Sequence, residues 1–495
     1  MKSVRVALIS LALLATPLAA KAPDAATLAR IDQLFAEWQV AAHVPGLAYG
    51  IVADGHLVVV RGLGVQNLDN RRAVGGDSLF RIASMSKSFT ALAILKLRDE
   101  GKLSLDAPAE RYLPQLASWR YPTSDSPRIT VRNLLTHSAG FVEDNPWGDR
   151  QQVMNEDEFT AVLAAGVPFA RAPGLQMEYS NLGYATLGRI IATVSGRSYQ
   201  SYIRDELMRP LGMESTTFDI FASPPERRAI GYRWEANHWT REPDMKDGAF
   251  GAMGGVETSA HDYAKWVAFL LSAWPARDGP DAGPVRRSTV REIVTGSNFV
   301  VARMRNPAAG GAPCRQAITY AMGWGVSDDC DLGRMVAHSG GYPGYGSNVL
   351  LLPDQGVGIF AFASRTYQGP SLPILRAALV LKSAGVLADR TVPLDPGLAA
   401  AYDAARAVWR EGRIPAAPTA NNMLMDHDAA AWSALVAGVK AEVGTCAGDE
   451  PLVALSAMEG RFRWTCSHGR VTGRVQRAPT PTMTLQALEF APDLP

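Results

Sequence analysis

The sequence has few of the residues and patterns that mark several common classes of protein. It has four cysteines and eight histidines in 495 residues, with no C-x-x-C pair and no H-E-x-x-H motif, so a zinc site is not indicated. Its 49 basic and 48 acidic side chains form no long run of one sign. Because a nucleic-acid surface needs a clustered positive footprint, the sequence predicts no nucleic-acid partner.

Long apolar runs are also scarce, and the one at the N-terminus is short. Lys2 and Arg5 precede the apolar residues 6–18, which are followed by Ala19 and Ala20. A charged head, a short apolar core and small residues at the exit are typical of a secretory signal, whereas a bilayer span needs about 20 apolar residues. We therefore expect residues 1–20 to be a signal peptide and the mature protein to be periplasmic or secreted, without an integral membrane segment. An uncleaved N-terminal anchor is the alternative.

If the protein is exported, its four cysteines can form disulfides, because the compartment outside the cytoplasm is oxidising. Four cysteines allow three pairings. Pairing Cys314 with Cys330 and Cys446 with Cys466 closes short loops within separate regions of the chain, and we favour it.

Strand-like segments lie at both ends of the first 385 residues, with helical segments between them. Two β-rich runs flank Asp54-Gly55, the pattern of a tight hairpin, and residues 347–352 and 358–363 are short apolar runs. This order predicts an α/β (α+β) domain over residues 21–390, with an antiparallel sheet flanked by helices and an inserted all-helical subdomain. The composition changes near residues 388–397, where two prolines lie close together, and this predicts a linker. Residues 391–495 are then expected to form a small accessory α+β domain.

The first chemical motif is S-x-x-K, formed by Ser84 and Lys87 where a helix is predicted to begin. Residues three apart on a helix share a face, so the amine can reach the hydroxyl. A serine hydroxyl needs a neighbouring base to become a good nucleophile. A capping serine followed by a surface lysine is the structural alternative.

The second motif is Tyr179-Ser180-Asn181. A phenol beside a lysine ammonium ionises more easily, so Tyr179 is a candidate general base or proton shuttle. Asn181 offers a donor and an acceptor to Lys87 or to a substrate amide. An ordinary turn before a helix is the alternative.

The third motif is His338-Ser339-Gly340-Gly341, directly after a strand-like segment. The N–H of Gly341, without a side chain to shield it, would form an oxyanion hole with the N–H of Ser84. His338 would tune Tyr179 or hold substrate together with Ser339 and Gly340, and a purely structural histidine is the alternative. Because an unperturbed histidine titrates near about 6.5, we expect His338 ionisation to shape activity between about pH 5.5 and 7.5.

Together, and in this order, the three motifs make the chain resemble the penicillin-recognising serine hydrolases. That superfamily includes class C β-lactamases, D-alanyl-D-alanine carboxypeptidases, D-aminopeptidases and related esterases. The segments FRIASMSKSFTALAILKLRDEGKLSLDAP, ITVRNLLTHSAG, RAPGLQMEYSNLGYATLGRII and HSGGYPGYGSNVLLLPDQGVGIFAFAS fit it, and the resemblance covers roughly residues 26–385.

The resemblance implies a serine hydrolase with an acyl-enzyme on Ser84 and proton transfer shared by Lys87 and Tyr179, without a metal or an organic cofactor. Its substrate would be a small ester or amide, a peptidoglycan-like D-amino-acid peptide or a β-lactam. His338 stands where typical β-lactamases carry lysine, which favours an esterase or a peptidase. The alternatives are a non-catalytic protein that binds cell-wall fragments and a protein whose working part is the C-terminal domain. The sequence says nothing about oligomeric state.

Overall fold

The computed structural model describes residues 22–388, 390, 394–415, 419–448, 450–481 and 485–493. The described residues form two compact units, 22–388 and 390–493. The expected signal peptide, residues 1–20, lies outside the described residues, as do residues 391–393 of the expected linker. In the part of the chain that is described, no helix has the length and apolar character needed to cross a membrane.

The first unit is built on an eight-stranded antiparallel sheet. Its strands are β1 (Gly46–Ala53), β2 (His56–Gly64), β7 (Asn298–Met304), β8 (Arg315–Tyr320), β9 (Gly325–Asp329), β10 (Gly333–Tyr342), β11 (Tyr345–Leu352) and β12 (Val357–Ala363). They lie in the order β2-β1-β12-β11-β10-β9-β8-β7. Two short ribbons accompany it, β3 (Leu79–Arg81) with β6 (Glu257–Ser259) and β4 (Tyr232–Glu235) with β5 (His238–Arg241).

Distant parts of the chain meet in the middle of this sheet. Strand β1 pairs with β12 so that Leu47 lies opposite Ala363 and Ala53 lies opposite Val357. Both faces of β12 are buried: Ile359 packs into the apolar cluster on one face, and Phe360 packs into the cluster on the other. The expectation of one antiparallel sheet assembled from distant chain ends is confirmed.

Helices cover both faces of the sheet. On one face lie α1 (Ala25–Ala41) and α10 (Ser371–Ser383), whose Phe35 and Ile374 pack in the same apolar cluster as Ile359. The other helices of this unit lie between β3 and β7 in sequence: α2 (Lys87–Asp99), α3 (Val131–Leu135), α4 (Asn145–Gly148), α5 (Glu156–Ala165), α6 (Asn181–Ser195), α7 (Tyr199–Ile203), α8 (Ala260–Leu271) and α9 (Arg287–Glu292).

The C-terminal group of strands begins earlier in the chain than the sequence indicated. The part of the chain between the two strand-like ends was expected to be helical, yet β7 lies within it as the last strand of the sheet. Six of the seven residues of β7, including Phe299 and Met304, are exposed. A strand exposed on both faces has no alternation of apolar and polar residues, so the period-two signal is missing.

The second unit is a four-stranded antiparallel sheet with helices. It contains α11 (Pro396–Glu411), α12 (Asn422–Asp426), α13 (Ala429–Val443), β13 (Val453–Ser456), β14 (Glu459–Cys466), β15 (Gly469–Arg477) and β16 (Leu485–Asp493). The strands follow one another in chain order across the sheet. Its own core is aromatic: the Phe462 and Trp464 rings stack at 4.3 Å, and Trp409 and Phe490 pack beside them.

Each unit contains one disulfide. Cys314 is bonded to Cys330 beside β8 and β9, and Cys446 is bonded to Cys466 at the end of β14. This is the sequence-local pairing that we favoured.

Candidate active site

The candidate nucleophile lies in a tight turn just before α2. Residues Ala83–Ser86 form a single 3₁₀ turn that leads into the helix at Lys87. Ala83 has a φ of 47°, in the left-handed region that non-glycine residues seldom occupy. Such backbone strain persists only where the surroundings enforce it, and it gathers at functional sites. Here the Oγ of Ser86 accepts the N–H of Val256 at 3.0 Å and ties the turn to the loop before β6.

Lys87 is fully buried and its amine has three oxygen neighbours. Nζ lies 3.0 Å from Oγ of Ser84, 2.8 Å from Oδ1 of Asn181 and 2.8 Å from the carbonyl oxygen of Met253. The amide and carbonyl oxygens can only accept hydrogen bonds, whereas the serine hydroxyl can accept or donate. The amine therefore donates to Asn181 and Met253 whichever protonation state it has, and the Ser84 contact is the one along which a proton can move.

Burial lowers the pKa of Lys87 to about 7, since the charged form loses its hydration. Two carboxylates, Asp149 and Asp144, act in the opposite direction and favour the ammonium. The rings of Tyr179 and Tyr184 lie 4.8 Å and 5.4 Å from Nζ and offer their π faces to a positive charge. The site can therefore hold Lys87 in either protonation state near neutral pH.

Tyr179 is the second proton-carrying side chain next to Ser84. Its side chain is partly exposed and hydrogen-bonds to the Ser84 side chain. Desolvation raises the pKa of Tyr179 well above its ordinary value, and the nearby Asp149 and Asp144 add to that effect. We expected the Lys87 ammonium to ease ionisation of this phenol, and that expectation is wrong: desolvation is the largest influence, and the pKa of Tyr179 is raised. The Lys87 nitrogen lies over the face of the ring, 4.8 Å from its centroid.

Asn181 is the first residue of α6, and the preceding residues hold it in place. Its Nδ2 lies 3.2 Å from Oδ1 of Asn145 and 3.5 Å from Oδ1 of Asp149, so Oδ1 faces Lys87. The Asp144 carboxylate accepts the N–H groups of Asn181 and Leu182 and caps the helix. Asn181 is therefore held from three positions in residues 144–149: Asp144 binds its backbone N–H, and Asn145 and Asp149 contact its side-chain amide.

His338 is buried, and both ring nitrogens are engaged within the protein. Nδ1 lies 2.6 Å from the carbonyl oxygen of Ser339, and Nε2 lies 3.0 Å from the hydroxyl of Tyr320. Burial lowers the pKa of His338 to about 4, and the nearby Lys87 charge acts in the same direction. The expected ionisation between about pH 5.5 and 7.5 is therefore wrong, because a histidine without water around it is neutral over that range.

The strand that carries His338 passes close to the nucleophile turn. A Cβ on Gly340 would lie 2.3 Å from the carbonyl oxygen of Ile82, and one on Gly341 would lie 2.8 Å from the Tyr367 ring. Strand β10 pairs with β11 as far as Tyr342 but with β9 only as far as Ala337. In the described structure, residues 338–342 therefore lack a strand neighbour on the β9 side. The side chain of Ser339 is exposed.

The sequence-predicted residues Ser84, Lys87, Tyr179, Asn181 and His338 thus come together, but their supporting residues were missed. His137 accepts the Ser180 N–H through Nδ1 at 3.1 Å, and its ring lies against that of Tyr179. Tyr320, Asp144 and Asp149 complete the surroundings. His137 falls within ITVRNLLTHSAG, a segment that fitted the resemblance, whereas nothing in the sequence near the two aspartates indicated their role.

Among the described residues, no group of three or more His, Cys, Asp or Glu side chains is arranged to hold a metal ion. The site brings together a hydroxyl, an amine and a phenol, beside a stretch of β10 that has no strand neighbour on the β9 side in the described structure.

Curated relatives match more than three fifths of the chain. Protein flp of Staphylococcus aureus (strain MW2) is 30% identical over 329 residues, which are 65% of this chain and 60% of that protein. Penicillin-binding protein 4* of Bacillus subtilis (strain 168) is 27% identical over 318 residues, 61% of this chain and 64% of that protein. The chain thus spans a little over three fifths of these relatives' length.

Solved structures show the same fold. The octameric penicillin-binding protein homologue from Pyrococcus abyssi has a TM-score of 0.62 at 21% identity and covers 91% of this chain and 96% of its own. A class C β-lactamase has a TM-score of 0.58 at 20% identity and covers 72% of this chain and 96% of its own. The β-lactamase family model matches residues 31–383. Because this match covers more than half of the chain, the chain belongs to the β-lactamase family.

Proposed function

We propose that the protein is a serine hydrolase that forms an acyl-enzyme on Ser84, with Lys87 as the base and Tyr179 as the proton donor to the leaving group. The observation that carries this proposal is the 3.0 Å contact between Nζ of Lys87 and Oγ of Ser84 in a buried site. A neutral amine that donates to Asn181 and Met253 has its lone pair left for the Ser84 hydroxyl. A serine alkoxide needs such a base before it can attack a carbonyl carbon.

In the first step the Ser84 proton moves to Nζ of Lys87 as Oγ bonds to the carbonyl carbon of the substrate. The negative charge on the former carbonyl oxygen is stabilised by the N–H groups of Ser84 and Gly341. The open edge of β10 at residues 338–342 supports that role for Gly341. Preorganised donors of this kind contribute among the largest rate effects in acyl transfer.

In the second step the bond to the leaving group breaks and the leaving atom takes a proton from Tyr179. The raised pKa of Tyr179 supports this role, because the phenol is protonated at neutral pH. The Lys87 ammonium then gives its proton to the Tyr179 oxygen by way of a water molecule, since the acylated Ser84 oxygen has no proton to relay, and both groups are restored. Water later attacks the acyl carbon and gives a proton to Lys87, which passes it to Ser84 Oγ as the acyl bond to Oγ breaks, so the carboxylic acid and the free Ser84 hydroxyl are released.

We propose an ester or a D-amino-acid amide as substrate in preference to a β-lactam. A β-lactam presents a carboxylate, and a fixed cation on the third-motif strand would hold it. Here that position is His338, which is neutral above about pH 4 and has both nitrogens bonded within the protein. Ser339, whose side chain is exposed, and the Gly340 backbone are the substrate contacts we assign to this wall.

We also propose that the protein is exported and that residues 391–495 are an accessory domain. The two disulfides support an oxidising compartment. The separate aromatic core of the second unit supports its accessory status. Deleting residues 391–495 tests that status: hydrolysis by the remaining unit should continue, and its loss would show that the second unit is needed for catalysis.

The proposed function is tested by trapping the Ser84 nucleophile as a covalent phosphonyl adduct. Mature protein is treated with a fluorophosphonate and its intact mass is measured, and turnover is followed with p-nitrophenyl esters, D-Ala-D-Ala peptides and nitrocefin. We expect one covalent adduct on Ser84 and turnover of an ester or a peptide, both lost in Ser84→Ala. The matched control is Ser88→Ala, one turn further along α2, which should label as the wild type does. A Ser84→Ala protein that still labels and turns over would overturn the proposal, and muropeptide binding without any adduct would favour the non-catalytic alternative.

A further inference from the structure

The 144–149 turn holds two buried carboxylates, and only one of them has an evident structural use. Asp144 caps α6 through the N–H groups of Asn181 and Leu182. Asp149 has 4% of its surface exposed and is the C-cap residue of α4 through its backbone N–H, whereas its carboxylate caps no helix among the described residues. A carboxylate is rarely buried to this extent without a charged or hydrogen-bonding partner, because desolvation is costly. Its position therefore calls for an explanation beyond folding.

Asp149 and Lys87 contact opposite ends of the side-chain amide of Asn181. Its Oδ1 is 3.5 Å from Nδ2 of Asn181, while Oδ1 of the same amide is 2.8 Å from Nζ of Lys87. The carboxylate and the amine thus occupy opposite ends of one side-chain amide. The backbone of Gly148, the residue before Asp149, packs closely against Asn181, since a Cβ on Gly148 would lie 2.7 Å from Cβ of Asn181. Asp149 is therefore fixed relative to Lys87, with only the amide between them.

The other partner of Asp149 comes from the sheet. Tyr367, in the segment after β12, hydrogen-bonds to the Asp149 carboxylate, and its ring lies against the backbone of Gly341. Tyr367 has a φ of 55°, an uncommon backbone conformation for a bulky residue. One side chain thus touches both the expected oxyanion strand and the carboxylate behind Asn181.

We propose that Asp149 is a positioning residue for proton transfer: its carboxylate holds the Asn181 amide toward Lys87 and stabilises the ammonium that forms when Ser84 loses its proton, and Tyr367 keeps the carboxylate in place. This inference rests on the proposed function. The other titratable or charged groups that face Lys87 are Asp144 on the same turn, Tyr179 and Tyr184 on or before α6, His137 after α3 and His338 on β10. Asp149 itself also faces Asp144 and Arg150.

The direction of the effect follows from charge. Burial raises the pKa of Asp149 to about 6, so its carboxylate is ionised above that pH. There its negative charge raises the pKa of Lys87, so Asp149→Asn, which keeps the shape and removes the charge, should lower it. The neutral base is then available at lower pH, but it is a weaker base. We expect the acid limb of the acylation rate to move to lower pH by about 0.5–1 unit. The plateau at high pH should fall by about two- to threefold, because base catalysis follows Brønsted behaviour.

The experiment measures the rate of fluorophosphonate labelling of the full mature chain between pH 5 and pH 10. The control is Arg150→Gln, which removes an exposed charge from the next residue and should leave the limb within about 0.2 units. Tyr367→Phe, which keeps the ring and removes the hydroxyl, should move the limb in the same direction as Asp149→Asn but by less. Circular dichroism and the midpoint of thermal unfolding report whether each variant is folded.

The outcomes separate this inference from the proposed function. A wild-type protein that never labels on Ser84 contradicts the proposed function itself. A wild-type protein that labels, with an Asp149→Asn plateau lowered and its limb unmoved, would show a merely structural Asp149 and overturn the inference. An Asp149→Asn limb that moves while the Tyr367→Phe limb stays would overturn the part assigned to Tyr367.

Discussion

The hydroxyl of Tyr320 lies 3.0 Å from Nε2 of His338, the third-motif histidine whose pKa burial lowers to about 4. Nδ1 carries the hydrogen that the Ser339 carbonyl oxygen accepts, so Nε2 is the acceptor of the tyrosine hydroxyl. Both ring nitrogens of His338 are thus bonded within the protein. The His338 side chain therefore contributes no positive charge to the site above about pH 4.

The first prediction concerns His338. His338→Lys should lower KM for carboxylate-bearing substrates such as nitrocefin or D-Ala-D-Ala peptides by about tenfold, because a charge-assisted hydrogen bond is gained. KM for neutral p-nitrophenyl esters should change little. The control is His338→Gln, which fills the space without charge and should give no such gain. If both variants behave alike toward carboxylates, charge at this position does not select the substrate.

The second prediction concerns pH. Lys87 acts as a base only when it is neutral, and burial lowers its pKa to about 7, so kcat/KM should rise with pH through about 7 and then level off. His338, with a pKa of about 4, is neutral throughout that rise. The limb measured with a neutral ester should therefore persist in His338→Gln. If kcat/KM of His338→Gln no longer rises with pH through about 7, the group that titrates is His338 and not Lys87.

The third prediction tests the oxyanion strand. A Cβ on Gly341 would lie 2.8 Å from the Tyr367 ring, so Gly341→Ala should displace either the ring or the strand. If the Gly341 N–H binds the oxyanion, kcat/KM should fall by about 10²-fold or more. In a Tyr367→Ala background the same change should cost much less, and the double-mutant cycle measures the difference. Equal losses in both backgrounds would exclude this steric explanation.

The fourth prediction separates the two units through their disulfides. Cys314 and Cys330 are 16 residues apart, and opening a loop of that size should lower the free energy of unfolding by about 3 kcal/mol. Because the two units have separate cores, Cys314→Ser with Cys330→Ser should lower the temperature at which hydrolysis is lost. Cys446→Ser with Cys466→Ser should lower a different calorimetric transition and leave that temperature unchanged. One shared transition in both variants would show that the units unfold together.

Much of the architecture was predictable because it depends on local patterns. The alternation around Asp54-Gly55 and the apolar runs 347–352 and 358–363 predicted strands, which are β1, β2, β11 and β12. The exposed edge strand β7 could not be predicted, since its exposure pattern carries no period. In the same way, the spacing of Ser84 and Lys87 predicted their contact, because three residues along a helical turn bring two side chains to one face.

The sequence by itself determined which reactive groups are present and which of them are neighbours along the chain: a serine, a lysine three residues on, a tyrosine before a helix and a glycine after a histidine. Only the tertiary structure decided their ionisation. Burial shifts the pKa of Lys87, of Tyr179 and of His338 in the direction that favours the neutral side chain. Side chains far away in the sequence, such as Asp149, modify the shifts of Lys87 and Tyr179. The physical reason is that desolvation and Coulomb interactions depend on distances in space, which spacing along a sequence does not encode.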